Sequence, residues 1–281
     1  MFSASNKEYL TTLMNSLIKH GYFSGTLSNS LYALIAKYVY DDILKKGLSY
    51  KKEINDTLYN INNLEEKVLK ILSLLSKKEI QECFGPISKR FLPGNTVAVE
   101  LSNRLKEFFL SLYNIDFLFH GIRDSDRKKI LPNVREDKTV AIWYRIYPPN
   151  TECGLPHRDV DFWAVDELPK IPLENSSRIK FWMPIYGCNE SNSLRIWPKS
   201  HTQNIKSKYK VGETKINPYI SKKDIQKFGK FLVPAKKTKE FALFDDRTIH
   251  QGPKNTNMDR FGFRISLETT LFVDSNVLLI P

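Results

Sequence analysis

Two histidines and one aspartate have the residue types and the spacing of a metal site. His157 and Asp159 stand two positions apart in the segment LPHRDVDFW, and on an extended strand that spacing puts both side chains on one side. His250 closes a predicted strand in FALFDDRTIHQGPKN and is the predicted third ligand. Two imidazoles and one carboxylate on one face of an octahedral ion leave the remaining positions open, as in non-haem iron(II) centres. These three residues are the candidate metal ligands and catalytic centre.

A predicted strand in RFGFRISLETTLF carries a second group of polar residues. Alternation puts the following residues on its polar face: Arg260, Gly262, Arg264, Ser266 and Glu268. An arginine on the polar face of a barrel strand is costly unless a carboxylate faces it. A bidentate guanidinium beside a serine hydroxyl suits the distal carboxylate of a dicarboxylic acid, whose other end could chelate the metal.

The elements that must position these residues change character near residue 138. Earlier segments such as SNSLYALIAKYVYDDILKKG, NLEEKVLKILSLLSKKEI and VAVELSNRLKEFFLSLY have helical apolar spacing, and Gly47 is predicted to end the first helix. Later segments such as TVAIWYRIY, RIKFWMPIY and EFALF are short, aromatic and β-branched, which is typical of strands. We predict an antiparallel β core over roughly residues 138–275, a sandwich or barrel wrapped by the N-terminal helices.

Four segments resemble, in order and spacing, the Fe(II)- and 2-oxoglutarate-dependent dioxygenases, most closely the phytanoyl-CoA dioxygenase-like superfamily. They are LPHRDVDFW, RIKFWMPIYGCNESNSLRIWPKSH, FALFDDRTIHQGPKN and RFGFRIS, and the resemblance spans about residues 138–272. It implies a mainly β fold, the double-stranded β-helix (a cupin-like jelly roll), with the metal at its mouth. We expect one integrated domain, in which a helical part (residues 1–137) packs on a catalytic core (residues 138–281).

The resemblance also implies a role for each candidate residue. His157, Asp159 and His250 would hold Fe(II), with O₂ as the second substrate. Arg264 and Ser266, in an Arg-x-Ser pattern, would bind the C5 carboxylate of the cosubstrate 2-oxoglutarate.

Further positions on the cosubstrate side are less sharply defined. Trp182 matches a tryptophan beside the cosubstrate in phytanoyl-CoA hydroxylase. Arg260 and Arg264 stand ten and fourteen positions after His250. Both spacings occur in the wider family, and we favour Arg264 because of the Arg-x-Ser pattern. Lys180 shares a strand face with Trp182 and is a candidate contact to cosubstrate or substrate.

The implied reaction is hydroxylation of an unactivated C–H bond, coupled to decarboxylation of 2-oxoglutarate to succinate and CO₂. Asp159 argues against a halogenase, because halogenases of this superfamily replace that carboxylate by a small residue. An AlkB-like nucleic-acid demethylase is one alternative, disfavoured because Thr270 stands where its second arginine would fall. A non-enzymatic cupin-like metal-binding module is the other.

The net charge of +12 is concentrated in one segment. Residues 202–240 hold eleven lysines against three acidic residues, which gives +8. Charge of this kind attracts anionic partners, although a solvated lysine-rich loop is the simpler explanation of the charge alone. The matching connection in the resembling superfamily lies near the active-site mouth. We therefore predict an anionic small molecule, or an acidic sugar such as Kdo on a glycolipid, as substrate.

Composition sets the remaining expectations. A chain of 281 residues with 41% apolar content can bury one large core. No secretory leader or apolar run of roughly 20 residues is present, so we expect a cytoplasmic protein. A lipid-linked substrate would add peripheral contact with the inner face of a membrane. Three scattered cysteines indicate reduced thiols.

Overall fold

A computed structural model describes residues 4–51, 58–84, 88–91, 96–119, 142–165, 176–211 and 216–274; both ends of the predicted core, 138 and 275, lie outside these ranges. The helices are α1 (Ala4–His20), α2 (Asn29–Tyr50), α3 (Leu64–Ser73), α4 (Lys77–Phe84), α5 (Thr96–Tyr113), α6 (Asp159–Val165) and α7 (Lys222–Ile225). The strands are β1 (Tyr22–Thr26), β2 (Ser88–Phe91), β3 (Leu118–Phe119), β4 (Ile142–Tyr147), β5 (Ser176–Tyr186), β6 (Arg195–Ile196), β7 (Lys208–Val211), β8 (Ile216–Tyr219), β9 (Glu240–Asp245), β10 (His250–Gln251) and β11 (Arg264–Asp274). None of the described helices has both the length and the apolar character needed to span a bilayer.

The predicted double-stranded β-helix is confirmed. Its main sheet is antiparallel and contains the strands β9, β5, β11 and β4 as neighbours in that order. A second sheet of short segments pairs His157 with His250, β10 with β6, and Ile196 with Leu232. Trp182 of the main sheet packs in one apolar cluster with Ile196 of the second sheet. The chain therefore passes back and forth between two packed sheets, which is the topology of a jelly roll.

Three strands from the N-terminal part also join the main sheet. β1 pairs with β9, β2 pairs with β4, and β3 pairs with β11. Apolar periodicity predicts only helices before residue 138 and does not reveal these strands, because two to five residues are too short for a periodic signal. The N-terminal part is thus connected to the core by backbone hydrogen bonds as well as by helix packing.

The main sheet has two faces of opposite character. Residues opposite one another in neighbouring strands share a face, and Glu268 lies opposite both Trp143 and Trp182. We call this side the inner face, and its residues include Trp143, Arg145, Tyr147, Lys180, Trp182, Arg264, Ser266, Glu268 and Thr270. The other face is apolar and packs on the helices; Phe109 of α5, for example, lies 5.6 Å from the ring of Phe241.

Two details of the helices differ from the prediction. Gly47 does not end α2, which continues to Tyr50. Gly47 is buried, and a Cβ there would come within 2.6 Å of Ile71 Cδ1, so the glycine allows α2 and α3 to pack closely. The segment NLEEKVLKILSLLSKKEI forms two helices, because Ser76 and Glu79 make a capping box that starts α4.

A tight turn at Pro198–His201 supports the segment that leads to His250. Ser200 Oγ accepts a hydrogen bond of 2.8 Å from the backbone N–H of Ile249. Lys199 holds this turn in a left-handed conformation with φ of 62° and donates its N–H to the His20 carbonyl at 2.8 Å. A residue with a Cβ is strained in that conformation, and glycine is not.

Lys199→Gly is therefore expected to stabilise the fold. Left-handed backbone costs about 1–2 kcal/mol for a non-glycine residue, and glycine loses about 0.5–1 kcal/mol more in backbone entropy on folding. The free energy of unfolding, measured by chemical denaturation, should rise by about 0.5–1 kcal/mol. Lys199→Ala keeps the Cβ and should show no such gain; an equal gain in both variants would assign the effect to the lysine side chain instead.

Candidate metal centre

His157 and His250 are brought together by main-chain pairing. The N–H of each donates to the carbonyl of the other, at 3.0 and 2.9 Å, and the ring centroids lie 4.4 Å apart. Sequence spacing predicts His157 and Asp159 on one strand and His250 at the end of another. In the structure, Asp159 is instead the first residue of α6, and His250 lies on β10, beyond a turn that follows β9.

The two imidazoles are oriented by backbone carbonyls. His157 Nδ1 lies 2.7 Å from the Leu155 carbonyl, and His250 Nδ1 lies 3.0 Å from the Thr248 carbonyl. A carbonyl oxygen only accepts, so each neutral ring donates from Nδ1 and keeps its lone pair on Nε2. This is the second interaction that metal-binding histidines ordinarily make.

Asp159 completes a cluster of three donors. Its Oδ1 lies 3.7 Å from His157 Nε2 and 3.6 Å from His250 Nε2, and the ligand atoms of the three residues all lie within 4.8 Å of one another. Burial lowers the pKa of His157 to about 4, and His250 adds to this effect. Burial raises the pKa of Asp159, but Lys180 and the two histidines lower it by more. Two imidazoles and one carboxylate are a donor set that fits a divalent cation.

Residues that the sequence analysis missed line the cluster. Phe162 of α6 makes an edge contact with His157 at 5.1 Å, and Phe244 of β9 lies 4.7 Å from the His250 ring. Period-two alternation on β9 could have placed Phe244 on the inner face, whereas α6 is too short for a pattern that would reveal Phe162.

Arg264 is a buried cation on the inner face and is 2% exposed. Its guanidinium donates to the carbonyls of Asn192 and, at 3.1 Å, Pro253, contacts Cys153 Sγ at 2.8 Å, and lies over the Tyr147 ring. Its Nε has no hydrogen-bond partner, and no carboxylate lies within ion-pairing distance, among the residues that the structure describes. A buried guanidinium without a counter-ion is costly, which favours the binding of an anion beside it.

Two other cations near the cluster have acidic partners. Arg145 pairs with Glu268, and Lys180 Nζ lies 3.3 Å from Asp159 Oδ2. Burial raises the pKa of Glu268, but Arg145 and Lys180 lower it by more, so this carboxylate is ionised. Arg264 therefore differs from its neighbours in lacking a carboxylate partner within the described part of the chain.

The remaining predicted site residues take separate places. Ser266 is buried on the inner face opposite Arg145, and Trp182 is buried between the two sheets. Arg260 is not on the strand, because β11 starts at Arg264 after a turn in which Asp259 Oδ1 accepts from two backbone N–H groups. The Arg260 side chain is 74% exposed and lies 3.8 Å from Glu66 of α3.

Comparison with solved structures identifies the same fold. EctD from S. alaskensis in its apo form has a TM-score of 0.51 at 11% sequence identity, covering 97% of this chain and 77% of EctD. EctD with 2-oxoglutarate and 5-hydroxyectoine has a TM-score of 0.50 at 12% identity, covering 97% and 76%. EctD with bound Fe has a TM-score of 0.50 at 12% identity, covering 97% and 77%. No family model and no curated protein matches the sequence.

Removing either of two candidate ligands should strongly weaken metal binding. We expect His250→Ala and Asp159→Asn, which keeps a hydrogen-bond acceptor beside Lys180, each to weaken Mn(II) binding by more than about 100-fold. Isothermal titration calorimetry on the full chain measures this, with thermal unfolding as a check of folding. His20→Ala and Asp224→Ala change the same residue types elsewhere and should bind like the wild type. Unchanged affinity in a folded His250→Ala or Asp159→Asn variant would remove that residue from the site.

Proposed function

We propose that this protein is a non-haem Fe(II)- and 2-oxoglutarate-dependent dioxygenase that hydroxylates a C–H bond of an anionic small molecule. The observation that carries the proposal is a cluster of three possible metal ligands together with a buried guanidinium that has no carboxylate partner among the described residues, both within one double-stranded β-helix. A cluster alone would fit a structural ion, and Arg264 alone would fit any buried anion. Together they fit a metal and a dicarboxylate that binds it.

His157, Asp159 and His250 would hold the iron from one side. Bound there, iron supplies the activation of O₂ for C–H oxidation, with 2-oxoglutarate converted to succinate and CO₂. The chain's own contribution is orientation, because the Leu155 and Thr248 carbonyls hold both rings before any ligand arrives. Ligand groups fixed in this way lose little entropy on binding.

Arg264 would hold the C5 carboxylate of 2-oxoglutarate. Its bonds to the Asn192 and Pro253 carbonyls fix the guanidinium plane and leave Nε without a partner in the described structure. Ser266 follows on the same face of β11 and would add a hydroxyl donor, while Trp182 would wall the cosubstrate on the side of the second sheet.

Arg264→Ala tests the cosubstrate assignment. Loss of a charged, hydrogen-bonded partner should raise the KM for 2-oxoglutarate roughly 10- to 1,000-fold, about 1.5 to 4 kcal/mol. Succinate release as a function of 2-oxoglutarate concentration measures it, and Mn(II) affinity should change little. Arg260→Ala is the matched control and should behave as wild type. If Arg260→Ala raises the KM and Arg264→Ala does not, the anchor is misassigned.

The anionic substrate is proposed from the position of the β7–β8 hairpin. The hydroxyl of Ser207, just before β7, donates to Asp161, and the N–H of Ile220, just after β8, donates to the Pro156 carbonyl at 2.7 Å. Pro156 and Asp161 bracket the segment that carries His157 and Asp159. Three lysines in or just before this hairpin are exposed: Lys206, Lys208 and Lys210. Their positive charge is therefore carried by a hairpin that is hydrogen-bonded to both ends of the segment holding His157 and Asp159.

The rest of the basic segment, around α7, packs next to the residues that flank the hairpin. Ile225 and Phe228 lie in one apolar cluster with Trp197 and Ile249, and the same cluster contains Ile205 and Ile220. Exposed lysines of this part include Lys222, Lys223 and Lys230. The hairpin lysines, whose segment is hydrogen-bonded to Pro156 and Asp161, carry the charge that we expect to attract an anionic substrate. That substrate would be a phosphorylated or carboxylated metabolite or an acidic sugar, free or lipid-linked.

Two triple variants with equal charge separate these groups of lysines. A succinate-release screen over anionic compounds and their neutral analogues first identifies the substrate. We then expect Lys206→Gln, Lys208→Gln and Lys210→Gln together to raise its KM about 3- to 30-fold at low ionic strength and to flatten the salt dependence. Changing Lys222, Lys223 and Lys230 to glutamine should leave that KM near wild type. Equal effects of both variants would indicate a general field of the protein and remove the hairpin from substrate binding.

A further inference from the structure

We infer that Lys180 is a positioning residue that holds one oxygen of Asp159, so that the carboxylate presents a single oxygen to the metal. The inference rests on the proposed metal site and adds to it how one ligand is oriented. It also gives Lys180 a role other than the cosubstrate or substrate contact predicted from sequence.

The two oxygens of Asp159 have different surroundings. Oδ2 lies 3.3 Å from Lys180 Nζ. Oδ1 lies on the other side, 3.7 Å from Nε2 of His157 and 3.6 Å from Nε2 of His250. The ammonium therefore interacts with Oδ2 and leaves Oδ1 as the oxygen that faces the two imidazoles.

Lys180 has little freedom to do anything else. It is 5% exposed, and its Nζ also donates to Thr270 Oγ1 at 3.2 Å and lies 5.1 Å from the centre of the Trp143 ring. A lysine is almost never buried to this extent without a partner for its charge. Asp159 is that partner, so the carboxylate and the ammonium fix each other. Arg264, by contrast, has no acidic partner in the described structure and remains the better anchor for a dicarboxylate.

The orientation of Asp159 decides how many positions on the ion remain open. Carboxylates bind cations through one oxygen or through both. With two histidines and one carboxylate oxygen, an octahedral ion keeps about three open positions, and a chelating carboxylate would reduce these to about two. A cosubstrate that chelates through two atoms then leaves a position free for O₂ only in the first case.

The number of water molecules on bound Mn(II), without 2-oxoglutarate, tests this directly. Water proton relaxation on the Mn(II)-loaded full chain should indicate about three bound waters in the wild type. Lys180→Met removes the ammonium, and Lys180→Gln replaces it by a shorter, uncharged side chain. With Asp159 free to chelate the ion, both variants should lose about one bound water and lower the relaxivity by roughly a third. Lys180→Arg keeps a cation at this position and should retain the wild-type relaxivity. Lys236→Met is the matched control, because Lys236 pairs with Glu190 at 3.0 Å away from the site and should leave the relaxivity unchanged.

The outcomes separate this inference from the proposed function. If the wild type does not bind Mn(II), the metal site itself is wrong. If it binds and a folded Lys180→Met or Lys180→Gln variant keeps the wild-type relaxivity, only the role of Lys180 is wrong. A wild-type count of about two waters would overturn the inference without any variant, which covers the case in which the substituted chains do not fold.

Steady-state kinetics give a second test. A positioning role predicts that Lys180→Met lowers kcat for succinate release at least about 10-fold, with the KM for 2-oxoglutarate within about threefold of wild type. Direct contact with the cosubstrate predicts the reverse pattern, a raised KM with little change in kcat. That reverse pattern would return Lys180 to the role predicted from sequence.

Discussion

The pairing of two short backbone segments is the constraint on which the site depends. His157 and His250 exchange two main-chain hydrogen bonds, and this closes the second sheet where the imidazoles leave the backbone. Main-chain pairing fixes the distance between the two Cα atoms, which no side-chain interaction could do as firmly. The Pro198–His201 turn, through Ser200 and Ile249, and the Leu155 and Thr248 carbonyls then act on a geometry that the pairing has already set.

The main sheet divides the chemistry of the molecule between its faces. One face is apolar and packs against the helices to form the core. Polar residues can therefore accumulate on the inner face without loss of the core. On that inner face, charges come in pairs: Arg145 with Glu268, and Lys180 with Asp159 beside it. Arg264 departs from this pattern, because it has no acidic partner within the described residues. It therefore indicates a binding site for an anion more directly than the paired charges do.

The sequence allowed the type of fold and the main members of the candidate site to be predicted, because both depend on residue type and coarse spacing. Alternation along β5 and β11 placed Lys180, Trp182, Arg264 and Ser266 on one face. The placement of Arg260 on the strand was wrong for a local reason. The strand starts only after the turn held by Asp259, so alternation was extended four residues too far.

Other features have no sequence signal of the required kind. The carbonyls that orient the histidines belong to Leu155 and Thr248, and every residue has a carbonyl. Gly47 looks like a helix end, and only the neighbouring Ile71 shows that it is a packing position. The asymmetry of Asp159 depends on a lysine on a separate strand, which spacing along the chain does not reveal.

The pair of Lys180 and Asp159 also constrains how this protein can diverge. A mutation that removes the Asp159 carboxylate alone would leave a buried ammonium without its partner, a defect that typically costs about 3–5 kcal/mol in a protein interior. That is a large part of the stability of an ordinary domain. Descendants that keep the fold but lose Asp159 are therefore expected to have replaced both residues. A related sequence that retains Lys180 without an acidic residue at position 159 would therefore have lost the carboxylate recently.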